Sequence, residues 1–199
     1  MTPSPPASPA SGDLRTALLD AAEVEIGENG AAAASLRAVA RRAGASHQAP
    51  GHFFVNRRGL LTALAARYID RLHRRLLEVA TEQAGAPALD RLVELGIGYV
   101  EFAQANPGLF TLTSSPDQID AADPELAAAR ERAWSVLSGA VHEAQQTGWR
   151  ADQPTQAVAM GCWALVHGST ALWREGWLSA QFPDVPLRQL VRAMLLSAL

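Results

Sequence analysis

The chain has 199 residues, 48% of them hydrophobic and 19% charged, and a formal net charge of −3. That length allows one good-sized domain or two small ones, and the composition is that of a soluble globular protein. A single cysteine, Cys162, excludes an intramolecular disulfide and any cysteine-rich metal site, which fits a reducing cytoplasm.

The charge is unevenly spread. Residues 1–30 carry −4, residues 31–80 carry +7 from nine arginines against two acids, and residues 81–199 carry −6. A basic module on an acidic body points to polyanion binding confined to one end. All 17 basic residues are arginine, which suits bidentate phosphate and guanine contacts, although the absence of lysine fits genome base composition better than function.

Taken in chain order, residues 1–12, MTPSPPASPASG, hold four prolines and no apolar core segment, and read as a disordered tail in place of a signal peptide. A first helix is predicted from about Leu14 to Glu28, with Leu14, Leu18, Ala21, Ala22 and Ile26 facing inward. Next comes Ser35 to Phe54, SLRAVARRAGASHQAPGHFF. Leu36, Val39 and Ala40 give a short helix one apolar face, off which lie Arg37, Arg41 and Arg42. Gly44 stands where a left-handed residue would stop that helix. Ser46 is placed to cap a second short helix ending near Phe53 and Phe54. Two helices around a tight glycine turn, rich in Arg, Gln and His, make a helix-turn-helix suited to the DNA major groove. The bland alternative is an αα-hairpin with a solvated basic face.

The remaining elements also read as helices. One is predicted from about Arg58 to Gln83, and another from Ala88 to Ala105 that is apolar nearly all round and should lie at the centre of the body. LFTLTSS, Leu109 to Ser115, is ambiguous. Pro124 starts a further helix at its first position, running to about Thr147. Gln153 to Trp173 lacks charge yet falls short of a membrane span, so it reads as a buried helix. The last helix carries a stripe through Leu187, Leu190, Val191, Met194, Leu195 and Ala198. With Gly161, Ala164 and Gly168 on the preceding helix, that stripe suits close packing, either as core or against a second copy.

The segments LLDAAEVEIGENG, SLRAVARRAGASHQAP and HFFVNRRGLL resemble the tetracycline-repressor (TetR) family, and Trp163-Ala-Leu-Val-His167-Gly168 resembles its Trp-His-Gly type of ligand-binding domain. The resemblance implies an all-α fold with a three-helix DNA-binding domain and a C-terminal ligand-binding and dimerisation bundle. It divides the chain into a tail (1–12), a helix-turn-helix domain (13–57) and a ligand-binding and dimerisation domain (58–199). Implied partners are a palindromic double-stranded operator, a small-molecule effector and a second subunit, with no membrane, cofactor or metal.

Position by position, the resemblance assigns Ser35, Arg37, Ser46, His47, Gln48, Gly51, His52 and Arg57 to DNA. Arg57 takes a place usually held by a phosphate-binding lysine. Gly51 replaces a phosphate-contacting aromatic, Phe53 a common histidine, and Glu25 an apolar residue. Tyr99, Phe102, Phe110, Trp134, Trp163 and His167 are the expected effector-site residues. Gly161, Ala164, Gly168, Leu187, Leu190, Val191 and Met194 are expected at the dimer interface.

Catalytic signals are poor. His142-Glu143 lacks the second histidine of a zinc-binding HExxH, no GxSxG elbow occurs, and Gly96-Ile-Gly98 is a fragment within a helix. A ligand-released repressor is therefore expected. The alternatives are a constitutive or architectural DNA binder and an all-α enzyme with a vestigial helix-turn-helix.

Overall fold

In the computed structural model, which describes residues 11–198, all regular structure is helical. The order is α1 (Ser11–Asn29), a 3-10 helix (Ala31–Ala33), α2 (Leu36–Arg42), a second 3-10 helix (Ala49–His52), α3 (Arg57–Glu82), α4 (Ala88–Ala105), α5 (Pro107–Thr113), α6 (Pro124–Gln146), α7 (Thr155–Arg174), α8 (Trp177–Gln181) and α9 (Leu187–Ala198). The expected N-terminal tail lies outside the described residues except for Ser11 and Gly12, which begin α1. Of the ambiguous LFTLTSS, Leu109 to Thr113 completes α5 and the two serines follow it, and α8, not anticipated, follows Gly176 at φ +87°.

The helices form two compact units. Among the described residues, one holds 11–66 together with Gly108–Leu126, and the other holds Arg67–Pro107 together with 127–198.

In the first unit, Leu18, Ala22 and Ile26 of α1 are buried, as are Val39 and Ala40 of α2. Ser35 caps α2: its hydroxyl accepts the Ala38 N–H at 3.1 Å. Gly44, at φ +65°, ends it. The Ala45 N–H bonds the Ala40 carbonyl at 2.9 Å and the Gly44 N–H bonds that of Arg41 at 3.2 Å, the two bonds of a Schellman stop. Residues 108–126 are tied into this unit by Arg58, which donates to the Ile119 carbonyl at 2.8 Å, and by Thr62 Oγ1, which accepts the Asp120 N–H at 2.8 Å.

In the second unit α4 is central, as its all-round apolar sequence predicts. Val93, Ile97 and Val100 join Val166 of α7 and Leu187, Val191 and Leu195 of α9. Leu92 packs with Val141, Ala144, Val158, Ala159 and Cys162, and Leu95 with Leu72, Leu76 and Val79. The Gly96-Ile-Gly98 fragment has a packing reason. A Cβ at Gly96 would stand 2.7 Å from Leu195 Cδ1, and one at Gly98 would stand 2.9 Å from Val79 Cγ2. Small residues here let α9 and α3 approach α4 closely.

Candidate functional site

The basic surface of the first unit is built on α2 and the turn after it. The packing of Val39 and Ala40 inward turns Arg37 and Arg41 outward, and both are exposed. Ser35, Ser46, His47, Gln48, Gly51 and His52 are exposed as well, whereas Arg57 is half-buried.

The second helix of the motif is not the α-helix expected. Ala49, Gly51 and Phe53 bond the carbonyls three residues back, of Ser46, Gln48 and Pro50, at 3.0–3.1 Å. Pro50 has no N–H to reach Ser46, and Gly51 adds no helix propensity, so the segment closes as a 3-10 turn. Gln48 precedes it with no side-chain cap, which corrects the capping role expected of Ser46. Buried Ala49, Pro50 and Phe54 hold the turn down while His47, Gln48 and His52 face outward.

Arg42 belongs to a different set. Its Nε donates to Glu25 at 3.0 Å and its Nη2 to Glu28, joining α2 to α1, and the two carboxylates hold its proton even more firmly than usual. Glu25, with only 7% of its surface exposed, also accepts Asn29 Nδ2 at 3.1 Å. An acid at that place is thus matched by a cation from α2.

The second unit brings three of the six expected effector-site residues together. Tyr99 Oη lies 2.7 Å from His167 Nδ1, and the Trp163 and His167 rings are 5.3 Å apart. Burial pushes the Tyr99 phenol up from its ordinary range, against a hydrogen bond from Trp163, and pushes the His167 imidazole down. Both groups are therefore neutral near pH 7. Phe102 shares the Leu72–Leu95 cluster with Tyr99 and packs against Tyr68, ring centroids 5.1 Å apart. Trp134 packs instead on the Leu92–Cys162 cluster, and Phe110 is buried in the first unit. Helix periodicity alone did not separate these destinations. Trp163 is 40% exposed, so one face of the trio is open.

Residues 18–64 match the family model described as bacterial regulatory proteins, tetR family, and residues 92–197 match the tetracyclin repressor-like C-terminal domain. The chain belongs to the TetR family. Its class is accordingly a DNA-binding transcriptional regulator. A structure from Rhodococcus sp. RHA1, of a protein of unknown function, is 30% identical with a TM-score of 0.82, over 98% of this chain and 96% of that one. A TetR family transcription regulator from Marinobacter aquaeolei VT8 shares the fold at 20% identity and a TM-score of 0.70, over 94% and 95% of the two chains. So does the transcriptional regulator FadR from Bacillus subtilis in complex with stearoyl-CoA, at 16% identity and 0.68, over 90% and 95%. None of the curated proteins matches the chain.

Within this TetR chain the expected dimer residues divide in two. Leu187 and Val191 are buried against α4 in a single chain, because positions 187, 191 and 195 repeat every four residues on the face that α4 covers. Within one chain these residues of the α9 stripe thus face α4. Gly161 and Ala164 are exposed, and Gly168, Leu190 and Met194 are half-buried. From α7 to α9, Met160, Leu172, Trp177, Phe182 and Leu196 are exposed as well. No helix among the described residues is long and apolar enough to cross a membrane.

Proposed function

We propose that this TetR-family regulator binds a palindromic operator as a dimer and is released from it by a small, mostly apolar effector. The observation that carries the DNA half is the exposed set Arg37, Arg41, His47, Gln48 and His52, on one helix and the turn that follows it. Arginine supplies bidentate donors to guanine and phosphate, and glutamine and histidine supply donors and acceptors for base edges. The short 3-10 turn offers the groove its end and exposed side chains in place of a long helical flank.

The effector half rests on Tyr99, Trp163 and His167. Two neutral polar groups joined by one hydrogen bond, beside an indole, suit a ligand that is apolar with one polar handle. B. subtilis FadR was solved with stearoyl-CoA, whose acyl chain is such an apolar body, so long-chain fatty acids, compared with their polyanionic CoA esters, are the first probes here. A ligand shifts the protein only by preferring one conformation, so it must bind the DNA-free form more tightly. The dimer is proposed to use the small-residue face of α7, Gly161, Ala164 and Gly168, flanked by Leu190 and Met194.

The test is anisotropy of a labelled duplex selected by the protein from random sequence, titrated first with salt and then with long-chain fatty acids and their CoA esters. Salt-sensitive binding reversed by a ligand supports the whole reading. Salt-sensitive binding indifferent to every ligand tried would favour a constitutive DNA binder.

A further inference from the structure

We propose that Arg57 is a positioning residue of the DNA surface, in contrast to the phosphate contact that the resemblance assigns to its place. The proposal rests on the DNA-binding reading above. Arg57 opens α3, whose start is fixed by Asn56: the side-chain oxygen of Asn56 accepts the Gly59 N–H at 2.9 Å. From that anchored base the guanidinium turns back into its own unit. Its Nε donates to the Ala34 carbonyl at 2.7 Å, its Nη2 donates to the Ala31 carbonyl, and Gln118 Oε1 lies 3.3 Å from the same Nη2.

The gripped carbonyls bracket the 3-10 helix Ala31–Ala33, and Ala34 is fully buried. Ser35, the cap of α2, follows directly, and Arg37 stands two residues further on. The Ala34 carbonyl lies past the end of the turn and carries partial negative charge, and the Ala31 carbonyl, which already accepts the Ala34 N–H at 3.3 Å, has a second lone pair to offer, so a forked cation is well matched to the two. The fork thus fixes where α2 begins and how its exposed side chains are presented. Lysine would keep the charge but has no Nε–H and no planar fork, so it cannot make this pair of bonds in the same geometry.

Arg57→Lys, Arg57→Gln and Gln118→Leu are compared with wild type by anisotropy, on a duplex selected by the wild-type chain and on a scrambled duplex. The titrations run across salt at a temperature where circular dichroism shows each variant fully helical. The expected result for Arg57→Lys is about a tenfold loss on the selected duplex, comparable with one impaired base contact. Its affinity for scrambled DNA and its salt slope stay at wild-type values. Gln118→Leu, which changes no charge, moves the same way by less, and it decides the matter if Arg57→Lys does not fold. Wild-type behaviour of Arg57→Lys, with the dimer's salt slope lower by about two in Arg57→Gln, one per subunit, is the signature of a phosphate contact and overturns the proposal. Unchanged discrimination in a folded Gln118→Leu counts against it too. If the wild-type chain selects no duplex at all, the DNA-binding reading falls and this proposal falls with it.

Discussion

Arg42 at the end of α2 and Glu25 on α1 are joined by a 3.0 Å hydrogen bond between charged groups, with the carboxylate almost fully buried. Removing one member of such a pair strands the other, whereas replacing both with neutral groups does not. Arg42→Gln should therefore lower the melting temperature, and the double variant Glu25→Leu with Arg42→Gln should recover it. Thermal melts followed by circular dichroism decide the point. Equal melting of Arg42→Gln and wild type would show that the pair contributes nothing.

The two serines of the motif should separate. Ser35→Ala removes the acceptor for the Ala38 N–H and should cost about 1 kcal/mol in urea unfolding. Ser46→Ala, at a residue that caps no helix, should fall within about 0.5 kcal/mol of wild type. The reverse ranking would mean that the second element is an α-helix capped by Ser46 after all.

His167 should make stability depend on pH. Burial lowers its folded value below the ordinary 6.5, so over that interval the unfolded state binds more protons and stability rises with pH. The contribution is complete above about pH 6.5 and is lost as the pH falls through the folded value. The melting temperature should accordingly drop between about pH 7.5 and pH 5, and drop less in His167→Gln. Parallel pH profiles for the two proteins would remove His167 as the source.

Ala164 tests the proposed subunit contact. It is exposed in the single chain, so Ala164→Arg should leave the chain fully helical by circular dichroism and lose only the stability that the partner subunit adds by mass action. It should still produce a monomer by light scattering, because a long cation replaces a small residue where two helices meet. Val191→Arg, in contrast, places a charge in the α4–α9 core and should unfold the chain. A dimer that survives Ala164→Arg places the interface elsewhere.

Features set by neighbouring residues were legible in the sequence. Gly44 announces the end of α2, Pro124 the start of α6, and the all-round apolar run of Ala88–Ala105 its central place. The 3-10 turn was legible in principle, since Pro50 and Gly51 both disfavour an α-helix, but the motif pattern outweighed them. Long-range matches were not. Nothing local says that Glu25 meets Arg42, or that Tyr99 meets His167 across 68 positions. The stripe on α9 shows the same limit, because periodicity identifies an apolar face without saying what covers it.

The central claim, that α2 and its turn form a DNA-reading surface, is tested most directly by the salt dependence of binding to a selected duplex in wild type, Arg37→Ala, Arg41→Ala and Arg42→Gln. A dimer contacting about 6–10 phosphates should lose on the order of 10³–10⁵ in affinity between about 50 and 200 mM salt. Arg37→Ala should cost about 1–3 kcal/mol per half-site if it reads a guanine, and Arg41→Ala should lower the slope of the dimer by about two, one per subunit, if it neutralises a phosphate. Arg42→Gln, whose charge is spent on Glu25 and Glu28, should leave the slope unchanged. A flat salt response in wild type, or loss of slope in Arg42→Gln with none in Arg37→Ala and Arg41→Ala, would contradict the account.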